Sequence, residues 1–363
     1  MNLRSWNPKL LHHFQSITKF KNVYNFKYLS DPETCQKLID RMDLRRKYPK
    51  SKGNLDIVDV FPGPGILSSM INQELQPRNH VILEKEKDHV SIWDNLMKTL
   101  KDNGGNQENF RFVKEDGYEW ETYNRLIEEK KIITPKVENR SRIHDELLIV
   151  ANLTSSSSGE PVLAQWIQCC AHQNWLQKYG RVRMLLLVRH DSSLKFLSTS
   201  AFPKRNRAAL KRDVYTESHL LAVSDIVSDT ALTPGEGFDP HLLFEEQPIV
   251  ISNGAVAPSP GDLSVIEIIP RGDLEGLNIF DIDHLCQSLM YKSQLPVAEA
   301  LSMVGLGASE ALCSKIRPEI LAKIPRHLTR DEFLEIYNAY TVWPFKATFE
   351  DTIDILMEDS RSY

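Results

Sequence analysis

Asp59-Val60-Phe61-Pro62-Gly63-Pro64-Gly65 joins an apolar run, Asp56–Val60, to a helical one, Ile66–Leu75. An acid ends a strand, glycines then turn the backbone close to any ligand, and a helix N-terminus follows with free N–H groups. The pattern repeats outward from this turn. Val81–Glu84 reads as a second strand closed by Glu84, with a helix over Asp88–Leu100. Phe110–Val113 is a third strand, with Asp116 just beyond it and a helix near Thr122–Lys131. Leu147–Ala151 is a fourth strand, ended by Asn152 and followed by a helix over Pro161–Trp175. Arg183–Val188 is a fifth, and His219–Val223 and Val265–Ile269 are two further candidates. Continuous apolar strands separated by helices imply an α/β fold with a mostly parallel sheet covered on both faces. Asp59, Glu84, Asp116 and Asn152 then stand at successive carboxyl ends of strands, the edge where open α/β sheets bind ligands. Glu84 suits a ribose diol, because a carboxylate accepts two hydroxyl hydrogen bonds.

The bulk composition narrows the function classes. The chain has 363 residues, 41% hydrophobic and 26% charged, and a formal net charge of −5. Such a balance builds a globular core and excludes a wholesale electrostatic grip on nucleic acid, leaving local basic patches. Cys35, Cys169, Cys170, Cys286 and Cys313 form no C-x-x-C pair, which points to free thiols and away from a zinc site or disulfide framework. The histidines form neither a triad nor a metal cluster, and no apolar run has the length of a membrane span. Residues 1–30 contain no Asp or Glu but hold Arg4, Lys9, Lys19, Lys21 and Lys27. That bias suits mitochondrial import, and equally an ordinary basic arm or first helix.

Four segments follow: a basic arm over 1–21, the α/β domain over 22–275, a smaller helical domain over 276–346 and an acidic tail over 347–363. Phe280–Val304 and Arg330–Tyr340 carry the helical spacing of the third segment. Ile132–Asp145, Ser155–Ser158, Asp229–Asp239 and Ala255–Gly261 read as loops. In the tail, Phe349, Ile353, Leu356 and Met357 have helical spacing beside five acids. Such a tail either solubilises the chain or lays its acidic face over a basic groove in competition with DNA.

Both dinucleotide-binding folds and class I methyltransferases satisfy the strand pattern. The motifs resemble those of the ribosomal RNA adenine dimethyltransferases, over nearly the whole chain. Asp59 to Ser68 is similar to that family's acid-Gly-Pro-Gly-x-Gly-x-Leu-Thr turn, with Phe61 at the first glycine. Glu84-Lys85-Glu86-Lys87-Asp88 resembles its Glu-x-Asp-x-Asp, Asp116 its adenine-contacting acid, and Phe26-Lys27-Tyr28-Leu29-Ser30-Asp31 its Gln-Asn-Phe-Leu-x-Asp. Leu285–Leu301 resembles the start of its helical C-terminal domain. The resemblance implies a Rossmann-like class I fold and an S-adenosylmethionine pocket at Leu29, Asp59, Phe61, Gly63, Gly65, Glu84, Asp116 and Asn152. The departures weigh against catalysis. Phe61 stands where the cofactor approaches a glycine, and the family's Asn-Leu-Pro-Tyr is Asn152-Leu153-Thr154-Ser155. Enzymes that modify a base hold it extruded against such an aromatic platform, and Ser155 cannot stack.

Within this superfamily, Phe26–Leu29, Leu83-Glu84-Lys85, Asp116-Gly117-Tyr118-Glu119-Trp120, Asn174-Trp175 and Trp343-Pro344-Phe345-Lys346 resemble the yeast-type mitochondrial transcription factor B group. The resemblance implies a specificity factor of the single-subunit mitochondrial RNA polymerase. Its partners would be that polymerase and melted promoter DNA, its location the mitochondrion, and it would require no cofactor and no metal. Tyr118 and Trp120 are then candidates to stack on unpaired bases, although Trp120 fits an ordinary core position equally well. Lys178, Arg181, Lys195, Lys204, Arg205 and Arg207 are the candidate phosphate contacts, the last three within a run of five positive charges in nine residues, Lys204–Arg212. Two other readings remain on the same scaffold: an active rRNA adenine N6-dimethyltransferase, and a non-catalytic RNA-binding or ribosome-assembly protein.

Overall fold

A computed structural model describes residues 3–17, 19–23, 25–225 and 248–347. The expected loop at Asp229–Asp239 and the acidic tail from residue 348 lie outside the described residues. The apolar runs become strands β1 (Tyr28–Leu29), β2 (Asp56–Val60), β3 (Asn79–Leu83), β4 (Phe110–Val113), β5 (Ile143–Leu153), β6 (Arg181–Val188), β7 (Thr216–Ser224), β8 (Ile249–Ile251), β9 (Val256–Ala257) and β10 (Ser264–Pro270). Eight of them form one sheet in the order β4-β3-β2-β5-β6-β10-β7-β8. Neighbours from β4 to β6 are parallel, as the sequence pattern implies. β10 is different: it runs antiparallel to both β6 and β7, opposing Val265 to Leu187 and to Ala222. An apolar run such as Val265–Ile269 encodes burial on two faces but not direction, so this reversal was not legible. β1 pairs with β9 in a separate two-residue ribbon, too short to carry periodicity.

The chain divides into two units, 1–194 with 216–273, and 195–215 with 274–363. Residues 195–215, which the sequence pattern puts inside the α/β domain, group with the helical unit. In the first unit every residue of β2 is buried, and helices Pro32–Met42, Ile66–Leu75, Lys87–Asp102 and Gly159–His172 cover the sheet. Asp31 caps the first of these by accepting from Thr34 N, with Pro32 at its first position. The basic N-terminal arm is part of this unit's packing. Leu10 is fully buried in a cluster with Ile82, Trp93, Leu96, Leu100 and Phe110. Ser5 Oγ donates to Glu74 at 2.6 Å, and Arg4 pairs with Glu74 and Asp40.

The second unit packs helices Arg207–Tyr215, Ile279–Tyr291 and Arg330–Thr341. Thr329 and Glu332 form a reciprocal capping box at the start of the last helix. Leu285, Leu289, Phe333, Ile336 and Tyr340 supply its core. All five cysteines are free thiols. Among the described residues no helix is long and apolar enough to cross a membrane, and no cluster of ligating side chains forms a metal site.

Candidate functional site

Because β2, β3, β4 and β5 are parallel, their carboxyl ends share one edge, and Asp59, Glu84, Asp116 and Asn152 meet there. Each of the four residues makes at least one hydrogen bond within the protein. Asp59 lies within 3.1 Å of His80 Nε2, and Asn72 Nδ2 donates to His80 Nδ1, which leaves Nε2–H to donate to Asp59. Glu84 is fully buried and its Oε1 accepts from Glu86 N. Asp116 accepts from Tyr118 N at 2.8 Å and pairs with Lys85. Asn152 Nδ2 donates to Lys27 O, while its Oδ1 accepts from both Thr154 N and Thr154 Oγ1. Thr154 therefore saturates the amide oxygen of Asn152.

Aromatic side chains fill the space above these groups. Phe61 has a left-handed backbone with φ 51°, a conformation that costs a side chain about 1–2 kcal/mol. Its ring is 2% exposed and lies 5.4 Å from Phe26 and 4.8 Å, edge to face, from Tyr118. Tyr28, delivered by the β1–β9 ribbon beside Leu29, stands directly on Gly63. A Cβ built there would fall 2.1 Å from Tyr28 Cε1, and Gly63 also has φ 59°. A cavity of about 20 Å³ remains, lined in part by Tyr28, Leu29, Asp59 and Asn152. One water needs about 10–15 Å³ by this measure, and ligand pockets run to about 300–1,000 Å³.

A more open feature lies on the same unit. Trp120, at the start of helix Trp120–Asn124, is 39% exposed, so it is not the core residue that its size allowed. It borders a pocket of about 120 Å³ with Tyr123, Asn124, Ile127, Trp175, Leu176 and Lys178. Trp175 stacks on Trp166 at 4.5 Å and receives Tyr123 edge-on at 5.1 Å, which fixes an aromatic floor. Lys178 stands at the rim, half-exposed, 3.4 Å from Glu128. In the sequence Trp120 and Lys178 stand as separate candidates. Tyr123 and Trp175 carry no local mark as pocket walls, because only tertiary packing brings them under Trp120. Tyr118 is partly buried, its hydroxyl donating to Asn152 O at 2.7 Å. Arg181 Nε donates to Pro270 O at 2.7 Å.

The basic run requires a correction. Arg205 is not a surface phosphate contact: its side chain is fully buried, donating to Leu328 O, Arg326 O and Asp213. Burial pulls its guanidinium pKa down, against the opposing pull of Asp213. Arg212 is buried as well, donating to Phe196 O, and Lys211 pairs with Asp283 at 2.8 Å. Lys204 and Arg207 remain exposed, as does Lys195 upstream. Alternate charges of the run thus point inward, because residues 205, 209 and 212 face the core of the second unit.

A parallel sheet with one antiparallel strand near its far edge, helices on both faces and acids at the carboxyl edge defines a class I methyltransferase fold. A dimethyladenosine transferase from Plasmodium falciparum superposes with a TM-score of 0.55 at 13% identity, covering 86% of this chain and 97% of that one. The 23S rRNA methyltransferase ErmE gives 0.50 at 10% identity, covering 86% and 98%. Residues 17–341 match the ribosomal RNA adenine dimethylase family, and the chain belongs to it. It is 31% identical over 346 residues to mitochondrial transcription factor 1 of Saccharomyces cerevisiae, spanning 95% of this chain and 94% of that one. The same-named protein of Lachancea kluyveri is 28% identical over 348 residues, spanning 95% and 97%.

Proposed function

We propose that this protein is a mitochondrial transcription initiation factor that binds the single-subunit mitochondrial RNA polymerase and holds unpaired promoter DNA without methyl transfer. The observation that carries this reading is the contrast on one unit. Phe61 and Tyr28 pack over the glycine turn at the sheet's carboxyl edge, while Trp120 stands exposed over an aromatic-floored pocket with Lys178 at its rim. The pocket has the size of one planar ring, and base–aromatic stacking with a nearby cation is how proteins hold single strands. The relatives named mitochondrial transcription factor 1 support the transcription role and the mitochondrial location. The engaged Asn152 and the missing stacking aromatic at Ser155 favour a non-enzyme over the family's dimethyltransferase activity.

The test is run-off transcription from a mitochondrial promoter with the polymerase, with and without this protein, together with binding to a pre-melted promoter bubble. Trp120→Ala is expected to weaken bubble binding by roughly five- to 150-fold, the equivalent of about 1–3 kcal/mol of lost stacking. Polymerase-dependent initiation without any effect of the protein sinks the reading. So does micromolar affinity for S-adenosylmethionine in calorimetry, which restores the enzyme.

A further inference from the structure

A cavity of about 520 Å³ lies at the amino ends of β2, β3 and β4, the edge of the sheet opposite to Asp59, Glu84 and Asp116. The turns that lead into those three strands line it, together with the N-terminal arm at Lys9. Its volume falls within the range of small-molecule sites, about 300–1,000 Å³. Among the described residues, the Gln73, Gln76 and Gln107 side chains on its wall have no hydrogen-bond partner, and Lys52 has no ion pair. Glu108 adds a carboxylate that is only 8% exposed. Its Oε1 accepts from Asn7 Nδ2 at 2.9 Å and from Lys9 Nζ at 3.0 Å, while Oε2 is buried without a partner. Buried polar groups are nearly always paired, so that oxygen calls for a donor. Gln76 also holds a left-handed backbone, φ 47°, at the end of helix Ile66–Leu75, a place where glycine is the usual residue. Strain of this kind collects at sites that use the side chain.

These groups define what fits. The ligand needs a donor for Glu108 Oε2, an edge with donor and acceptor side by side for the carboxamides, and an anion for Lys52. An uncharged peptide meets the first two needs and not the third. An adenine nucleotide meets all three: its 6-amine carries two hydrogens and adjoins the N7 acceptor, the edge that glutamine reads in bidentate pairs, and its phosphate suits a lysine charge. We infer that this cavity is a binding site for an adenine mononucleotide. Glu108 selects the 6-amine, the glutamines meet the base edge and Lys52 meets the phosphate. The cavity shares no lining residue with the pocket under Trp120, so this site and the promoter-binding reading stand or fall separately.

Calorimetry with AMP, on the full chain, tests it. A dissociation constant of about 10–100 μM is expected for a polar ligand of this size. IMP replaces the 6-amine by a carbonyl oxygen and sets an acceptor against Glu108, so it is expected to bind about tenfold more weakly or worse. Glu108→Gln is expected to remove that preference, because a carboxamide meets either group. Lys52→Ala alters an exposed side chain that the fold does not use. It is expected to weaken AMP by about tenfold while leaving adenosine unchanged. No binding of AMP up to millimolar concentration overturns the site. Equal affinity for AMP and IMP in the wild type overturns it too, since Glu108 then selects nothing. A Lys52→Ala protein that binds AMP as the wild type does, or that loses AMP and adenosine alike, refutes the phosphate contact and with it the nucleotide.

Discussion

Arg205→Ala separates a structural arginine from a phosphate-binding one. The guanidinium is fully buried and donates to two backbone carbonyls, Leu328 O and Arg326 O, and to Asp213. Truncation leaves those two carbonyls unpaired and removes one of two cations from Asp213, which keeps Arg212 at 2.6 Å. Breaking a buried charge pair costs about 3–5 kcal/mol; the remaining Arg212 places the expected loss at the lower end, near 3 kcal/mol. Arg205→Lys retains charge but not the planar fork that reaches three acceptors at once, so it should fall between the two. Urea unfolding followed by circular dichroism measures the loss as a lowered midpoint. The exposed pair gives the opposite phenotype. Lys204→Ala and Arg207→Ala should leave stability within about 0.5 kcal/mol. If either side chain touches a phosphate of single-stranded DNA, its removal lowers the slope of log affinity against log salt by about 0.7. An Arg205→Ala protein with a wild-type midpoint and a reduced salt slope would refute the assignment.

Leu10→Ala should cost about 2–5 kcal/mol, because its fully buried side chain is shared with Trp93, Leu96, Leu100 and Phe110; a change below 1 kcal/mol in urea unfolding means the N-terminal arm is not part of the core. Tyr118→Phe should lose about 0.5–1.5 kcal/mol through its bond to Asn152 O, and promoter opening should persist because the ring remains; a collapse of opening assigns the hydroxyl a direct role. Burial holds the His13 and His190 pKa values down at about 4, against about 6.5 in an unfolded chain. The unfolded chain therefore binds more protons between those limits. The stability this confers is fully present above pH 6.5 and is lost as pH falls toward 4, at up to about 1.4 kcal/mol per pH unit for each histidine. His13→Leu with His190→Asn should flatten that part of the pH–stability curve, and an unchanged slope between pH 6.5 and 4.5 counts against the assignment.

Much of the sheet was written in the order of residues along the chain. Leu147–Ala151 and Met184–Val188 lie in strands β5 and β6, where their continuous apolar runs place them, and Ile66–Leu75 begins at the glycine turn. A strand buried on both faces needs apolar residues at every position, and a turn beside a ligand edge needs glycine, so both leave local marks. The gathering of Asp59, Glu84, Asp116 and Asn152 followed from parallel strands alone. What each of those residues does was decided by neighbours distant in sequence. The two-residue ribbon that sets Tyr28 on Gly63 is too short to show a period. Trp175 reaches the pocket below Trp120 only through the packing of separate elements. The direction of β10 depends on its partners, Val188 and Val223, and not on its own composition. Charge was the least legible quantity. Lys204, Arg205 and Arg207 read alike as text, yet Lys204 and Arg205 lie in the turn before helix Arg207–Tyr215. The path of that turn, against a core present only in the folded unit, brings Arg205 onto Leu328 O and Asp213 and leaves Lys204 and Arg207 exposed.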